Sequence, residues 1–342
     1  GVGEWARYGH LPALASLPQF EVTAVASRSL EKAQELSSRL GIRHPLGSAE
    51  ELSQHPEVDL VAVLNQAPQH YSAALLALNS GKQVYCEWPL TNRLDQTEHL
   101  EQVARQSGRA TLVGLQRRFA PSVRYLQSLL KEGYLGELRS VRMHASEGMF
   151  QAVRPDILGF TAPTQNFSSP FSIYGGHFLD LLMQIVGPID RFQAVTLNQF
   201  PEVSLRPSGT VIATSAIDQF MLLARLRNGA PVTFHVEGGK RSGFGVQLDL
   251  TGSRGDLRLS NDCSFHSPRD HKLEGSQECG QPLREMAVPA HYRSLESDDL
   301  DATVQDLANL YSAFSQGTPT PDFGEALRLH RLLAEIQDLA QD

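Results

Sequence analysis

The sequence predicts an α/β domain with a parallel, doubly wound sheet, followed by an α+β domain built on a large, mostly antiparallel open sheet. Three observations carry this. Short β-branched runs alternate with amphipathic stretches over the first 115 residues or so, strand-like runs recur from Leu138 onward, and 342 residues amount to about two domains. With 41% hydrophobic and 20% charged residues, the chain can bury a core in each and is not disordered.

The elements follow in order. Ala6–Leu17 reads as a helix and Glu21–Ser27 (EVTAVAS) as a strand. Leu30–Leu40 is amphipathic at helical spacing and stops at Gly41. Val58–Leu64 is a buried-strand run, and His70–Ser80 is a helix capped by Gly81. Gln83–Glu87 is a strand broken by Pro89, Leu94–Ser107 a helix ended by Gly108, and Ala110–Leu115 a further strand. The period then changes. Leu138–Ala145, Phe192–Leu197, Phe220–Arg227, Pro231–Glu237, Gly245–Thr251 and Gly255–Leu259 read as strands, with turns such as Arg227-Asn228-Gly229 between them. One strong helix, Gly176–Val186, interrupts the series. Asn261–Ala290 is predicted to be irregular, and helices at Asp298–Gln316 and Phe323–Gln341 close the chain. The division is expected at 1–115 and 116–342, with the final helix returning to the first domain.

Composition excludes several classes. A net charge of −8 argues against direct nucleic-acid binding, which runs on phosphate neutralisation. No apolar run approaches the ~18 residues of a membrane span. Cys86, Cys263 and Cys279 form neither a C-x-x-C nor an even framework, so the natural reading is a reducing cytoplasm without a structural zinc. Hydrolase, zincin and P-loop signatures are missing.

The opening Gly1-Val2-Gly3-Glu4-Trp5-Ala6 fits the G-x-G-x-x-A fingerprint of a Rossmann dinucleotide site. The first glycine turns the chain, the second lets backbone approach a pyrophosphate, and the small third residue lets helix and strand pack closely. Such a loop needs a strand before it, so the natural protein is expected to be longer by at least that strand. About 20 residues past the motif stands Ser27-Arg28 in place of the acidic residue that would hold a free ribose hydroxyl. A guanidinium there suits a 2′-phosphate, which predicts NADP(H) in preference to NAD(H).

Gly81-Lys82-Gln83-Val84-Tyr85-Cys86-Glu87-Trp88-Pro89-Leu90 resembles the G-K-H-V-x-x-E-K-P-L segment of the Gfo/Idh/MocA oxidoreductases. Gln116-Arg117-Arg118-Phe119-x-Pro121, Gly133-Tyr134-Leu135-Gly136-Glu137 and Gly176-His177-x-x-Asp180 resemble further landmarks of that family, in its order. Pro231–Lys240 and Gly252–Leu257 are similar to a subgroup that includes the fungal galactose/lactose-regulon repressor. The resemblance implies a dinucleotide-binding first domain and a second domain that takes a sugar-like substrate or, in the repressor, a protein partner. It also implies a Lys after Glu87 and an Asp four residues before His177. This chain has Trp88 and Ile173 there. Trp cannot titrate, so either His177 carries the proton chemistry alone or the site binds ligand without turnover.

The candidate residues follow. His177, Trp88 and Asp180 form the catalytic set: His177 as acid/base, Trp88 shaping the pocket, and Asp180 either orienting the imidazole or capping backbone. Gly175 and Gly176 are expected to leave room for a ligand beside His177, and Tyr174 is either a proton donor or an interface ring. The cofactor set is Gly1, Gly3, Trp5, Ala6, Ser27, Arg28, Asn65, His70, Glu87 and Pro89, with His10 beside the first loop. Arg117 and Arg118 are placed to hold anionic or polyhydroxyl groups, one of them being expected to form a domain-hinge ion pair. The function predicted is hydride transfer at a carbinol or carbonyl carbon of a sugar or polyol. The alternative is a non-catalytic, dinucleotide-binding transcriptional regulator acting through protein contact. The open face of the second sheet is expected to form a homo-oligomer.

Overall fold

The computed structural model describes residues 1–243, 245–293 and 300–340. The chain forms two compact units, Gly1–Gln116 with Leu307–Arg331, and Arg117–Asp306 with the residues from Leu332 on.

In the first unit a π-helical turn, Ala6–His10, runs into α1 (Leu11–Ala15). Then come β1 (Ala24–Ala26), α2 (Leu30–Leu40), β2 (His44–Leu46), α3 (Ala49–Gln54), β3 (Leu60–Val63), α4 (Ala67–Asn79), β4 (Gln83–Cys86), α5 (Leu94–Ser107) and β5 (Thr111–Val113). The Ser29 side chain accepts from the Lys32 amide to start α2, and Gly41, at φ 69°, ends it. All strand pairs here are parallel: β1 with β2, and β3–β4–β5. They form two sheets rather than one. β1 is three residues long where the sequence predicts Glu21–Ser27. The short β2, with Pro45 at its centre, and α3 carry too weak a period to be read from the sequence.

The second unit contains α6 (Pro121–Lys131), β6 (Leu138–Glu147), β7 (Val153–Pro155), α7 (Gly176–Val186), β8 (Ile189–Leu197), β9 (Glu202–Arg206), β10 (Val211–Ala213), β11 (Gln219–Leu226), β12 (Pro231–Gly238), β13 (Gly245–Gly252), β14 (Asp256–Asn261), β15 (Lys272–Ser276) and β16 (Arg284–Glu285). The last two lie inside the stretch expected to be irregular. They extend the sheet edge through β14–β15 and β15–β16 pairing. The closing helices are α8 (Ala302–Ser315) and α9 (Phe323–Leu339). Asp298, Asp299 and Gln341, assigned to them from sequence, lie outside the described residues.

The main sheet has eight strands in the order β16-β15-β14-β13-β6-β12-β11-β8, antiparallel except for β6 beside β12. Burial alternates along its strands. One face carries Met143, Phe220, Phe234 and Leu248 at 2% exposure or less. The other leaves Val195, Leu197, Met221 and Leu223 exposed. Among the described residues no helix is long and apolar enough to cross a membrane.

Candidate functional site

In the first unit the site is organised around Glu87, at the carboxyl end of β4. A single oxygen, Oε1, accepts from Trp5 Nε1 (2.8 Å), Tyr85 OH (2.9 Å) and His10 Nε2 (2.6 Å). His10 Nδ1 faces the Tyr311 hydroxyl at 2.8 Å. A neutral His10 that donates from Nε2 and accepts at Nδ1 satisfies both contacts. Burial would raise the Glu87 carboxyl, but the hydrogen bonds from His10, Trp5 and Tyr85 hold it below the usual range, as a carboxylate. A side chain at Gly114 would meet Glu87 Oε2 and the Tyr85 hydroxyl at 2.6 Å, so this glycine is a packing requirement. Gly9 is another: a Cβ there would sit 2.7 Å from the Trp5 ring.

The helix opening toward the first loop is anchored by the Arg7 amide on the Gly3 carbonyl (3.2 Å), and a Cβ on Gly3 would meet nothing within 4 Å. Ala6 is buried, as the fingerprint requires for close helix packing. Gly1 lies beside the Leu64 carbonyl and the Asn65 amide. Ser27 Oγ accepts from the Ser29 amide, and the Arg28 side chain is exposed, with no hydrogen bond or ion pair to any described residue.

His70 is 2% exposed, with Nδ1 2.8 Å from the Pro89 carbonyl and Nε2 2.6 Å from the Asn65 carbonyl. Burial lowers its pKa. Each ring nitrogen lies against a backbone carbonyl, and a neutral imidazole donates to one of them, so His70 bridges the Asn65 and Pro89 loops. Trp88 is 5% exposed and packs on His330 of α9, ring centroids 4.7 Å apart. The sequence reading gives it a pocket wall; the structure gives it a place in the core.

In the second unit a capped turn leads into α7. Ser169 and Ser172 form a capping box at the start of Pro170–Gly175, which runs directly into the helix. Gly175, expected to make space for a ligand, instead makes space for Phe220, whose ring a Cβ would meet at 3.2 Å. The turn sets His177 at 3% exposure, with Nδ1 lacking any hydrogen-bond partner. Burial, then the charge of Arg117, push His177 well below the ordinary histidine value, so the imidazole is neutral.

Arg117 is 7% exposed. Its guanidinium carbon lies 4.8 Å from the Phe178 ring centroid and 4.5 Å from that of Phe265, and its Nε has no partner. Burial brings it down to about 10, so it stays charged. Phe265 also contacts His177 (5.1 Å) and Tyr174 (4.6 Å). Burial and Glu147, to which it is hydrogen-bonded, raise the Tyr174 phenol well up. Asp180 does not orient His177; it forms a two-pronged ion pair with Arg118 (Nε to Oδ2 3.0 Å, Nη2 to Oδ1). Phe265, Glu147 and Asp306 belong to this cluster and were not readable in advance. Phe265 stands in the stretch that looked irregular, and the two acids carry no motif.

Residues 1–115 match the model of the oxidoreductase family with an NAD-binding Rossmann fold, and residues 121–261 match the Gal80p C-terminal domain. The chain is similar to the Gfo/Idh/MocA oxidoreductases over its first third and to the Gal80p-type domain over the stretch that follows. An uncharacterized oxidoreductase of Synechocystis is 27% identical over 82% of this chain and 75% of its own length. The galactose/lactose metabolism regulatory protein GAL80 of Saccharomyces cerevisiae is 26% identical over 76% of this chain, a span that covers 65% of GAL80. A levoglucosan dehydrogenase in complex with NADH and L-sorbose shares the fold at a TM-score of 0.87 and 18% identity, over 100% of this chain and 95% of its own. Of the two positions that differ from the family pattern, Trp88 is buried on His330 within the first unit and Ile173 is half-buried in the second, beside Tyr174, which packs on Phe150 (5.9 Å).

Proposed function

We propose that the protein is an NADP(H)-dependent oxidoreductase that transfers a hydride at a carbinol or carbonyl carbon of a sugar- or polyol-like substrate. The observation that carries this is His177, buried, neutral and with a free Nδ1 beside Arg117 and Tyr174. A neutral imidazole with an open nitrogen accepts the proton of a carbinol as its hydride leaves. The bound nicotinamide supplies the hydride chemistry. Gly1, Gly3 and Ala6 are assigned to the pyrophosphate, and Ser27 with the unpaired Arg28 to a ribose 2′-phosphate. Asn65 and Pro89 shape the loops around the cofactor. Glu87 holds those loops through Trp5, Tyr85 and His10. A cytoplasmic location and a homo-oligomer joined through the exposed face of the main sheet belong to the same proposal.

The test is a panel of sugars and polyols followed at the nicotinamide absorbance, with His177→Ala as the control. Loss of a positioned acid/base is expected to cost ~10²–10⁴ in rate. Turnover that survives the substitution removes His177 from the mechanism. The second reading, a dinucleotide-binding regulator, is favoured by Trp88 in the lysine position and by the Gal80p-type second domain. No turnover across the panel, with a stable protein complex recovered instead, decides for it.

A further inference from the structure

The sequence places two arginines side by side, and the structure treats them oppositely. Arg118 is saturated by the Asp180 carboxylate. Arg117, equally buried, has no hydrogen bond or ion pair with any described residue. Of the acids near it, Glu147 is committed elsewhere and Asp306 forms no ion pair with it. Glu147 Oε1 accepts from the Gly148 and Met149 amides at 2.7 and 3.2 Å, and its Oε2 from Ser264 Oγ at 3.2 Å. Asp306 is 7% exposed and no closer than ion-pair distance to Arg117, and its Oδ1 is itself unpaired. The rings of Phe178 and Phe265 stabilise the charge, but aromatic faces accept none of the in-plane N–H bonds of a guanidinium. What remains is a buried positive charge whose Nε meets no described residue, near enough to His177 for its charge to bear on the imidazole.

We propose that this cluster is built for an anionic substrate, a hydroxy acid of the sugar-acid type whose carboxylate is gripped by Arg117. This rests on the oxidoreductase reading above and narrows its substrate class. A hydroxyl would meet a donor but leave the charge uncompensated; a carboxylate meets both, in the fork-on-fork geometry arginine favours. In the oxidation the carbinol C–H bond breaks and its hydride passes to the oxidised nicotinamide of NADP⁺. The O–H proton goes to His177 Nδ1, and the product is an oxo acid with NADPH. Burial and the neighbouring Asp270 push the Asp306 carboxyl well up, so it supplies little countercharge. A carboxylate on Arg117 also offsets one of the two effects that hold His177 down, improving the base as the substrate binds.

The experiment is calorimetric titration of the full chain, with NADPH present, using matched pairs: D-gluconate against D-glucitol, D-glucuronate against D-glucose, and D-galacturonate against D-galactose. At least one acid is expected to bind tenfold or more tightly than its neutral partner. Arg117→Met should bring that ratio to about one, and Arg117→Lys, which keeps the charge but loses the fork, should leave it in between. Circular dichroism and NADPH titration check that both variants are folded. If no acid outbinds its partner in any pair, silence on every pair included, the proposal falls; it also falls if the preference survives Arg117→Met. Titration needs no turnover, so the two readings separate. Acid binding through Arg117 with no absorbance change when the same acids are mixed with the protein and NADP⁺ sinks the oxidoreductase reading alone, and turnover of neutral polyols with NADP⁺ without acid preference sinks this one alone.

Discussion

Removing the Glu87 carboxylate strands three donors at once, two of them fully inside the unit. Tyr85 and His10 are 0% and 1% exposed, and both donate to Oε1. A buried donor left unpaired costs about 1–3 kcal/mol, so Glu87→Ala is expected to destabilise the first unit by ~4 kcal/mol. At roughly 3 °C per kcal/mol for a unit of this size, the melting transition should fall by ~12 °C. Glu87→Gln keeps an acceptor but loses the charge, and should cost about half as much. Urea denaturation followed by circular dichroism reads both. Glu87→Ala within 1 kcal/mol of wild type, or Glu87→Gln as costly as Glu87→Ala, would refute the reasoning, because the hub would then not be what satisfies these donors. The pH arm has a definite sign. The carboxylate is held below its ordinary 4.5, so its stabilisation is present above that pH and is lost as pH falls through the lower folded value. Glu87→Gln should therefore flatten the acid limb below pH 4.5.

His330, buried against Trp88, is lowered to about 3 by burial and then by His70. Stability should decline as pH drops from 6.5 towards 3, and His330→Gln should reduce that slope in denaturant midpoints taken across the range. Gly9→Ala drives a methyl into the Trp5 ring, itself fixed on Glu87, and should cost about 1–3 kcal/mol by the same assay. Arg28→Leu is expected to weaken NADPH binding about tenfold or more while barely changing NADH; equal losses for both cofactors would end the 2′-phosphate assignment. Leu223→Glu, at the most exposed apolar position of the main sheet's open face, should shift the protein to a smaller species in light scattering if that face joins copies of the chain.

α2 and α5 of the first unit were legible residue for residue and α4 from His70 on, because their stops are glycines with a conformational reason. Gly41, Gly81 and Gly108 all take positive φ, at 69°, 74° and 63°. Six of the main sheet's eight strands (β6, β8 and β11–β14) were legible from alternation, since one face is buried and the other is not; β15 and β16 were not. What the sequence hid is tertiary. Asp180 looked like a partner for His177 one turn away, but the strongest cation in reach was Arg118, 62 residues distant in sequence. His70 looked like a ligand because nothing local announced that two backbone carbonyls would lie against its nitrogens. Phe265 was invisible as a site residue, since an aromatic in a Ser-, Pro- and charge-rich stretch has no period to place it.

The Glu87 hub reaches Tyr311 through His10 across 301 residues of chain, and Pro321 accepts a hydrogen bond from Val113 in β5. Contacts this far apart in sequence close the largest loops and form slowly. On the ribosome, then, the first unit cannot mature when its own first 116 residues have emerged; it waits for Leu307–Arg331 at the far end. The second unit takes most of its chain from one segment, Arg117–Asp306, but it too is completed only by the residues from Leu332 on. The first 116 residues thus emerge long before the segment that completes their unit, and their strand edges are at their most vulnerable to misassembly during that delay.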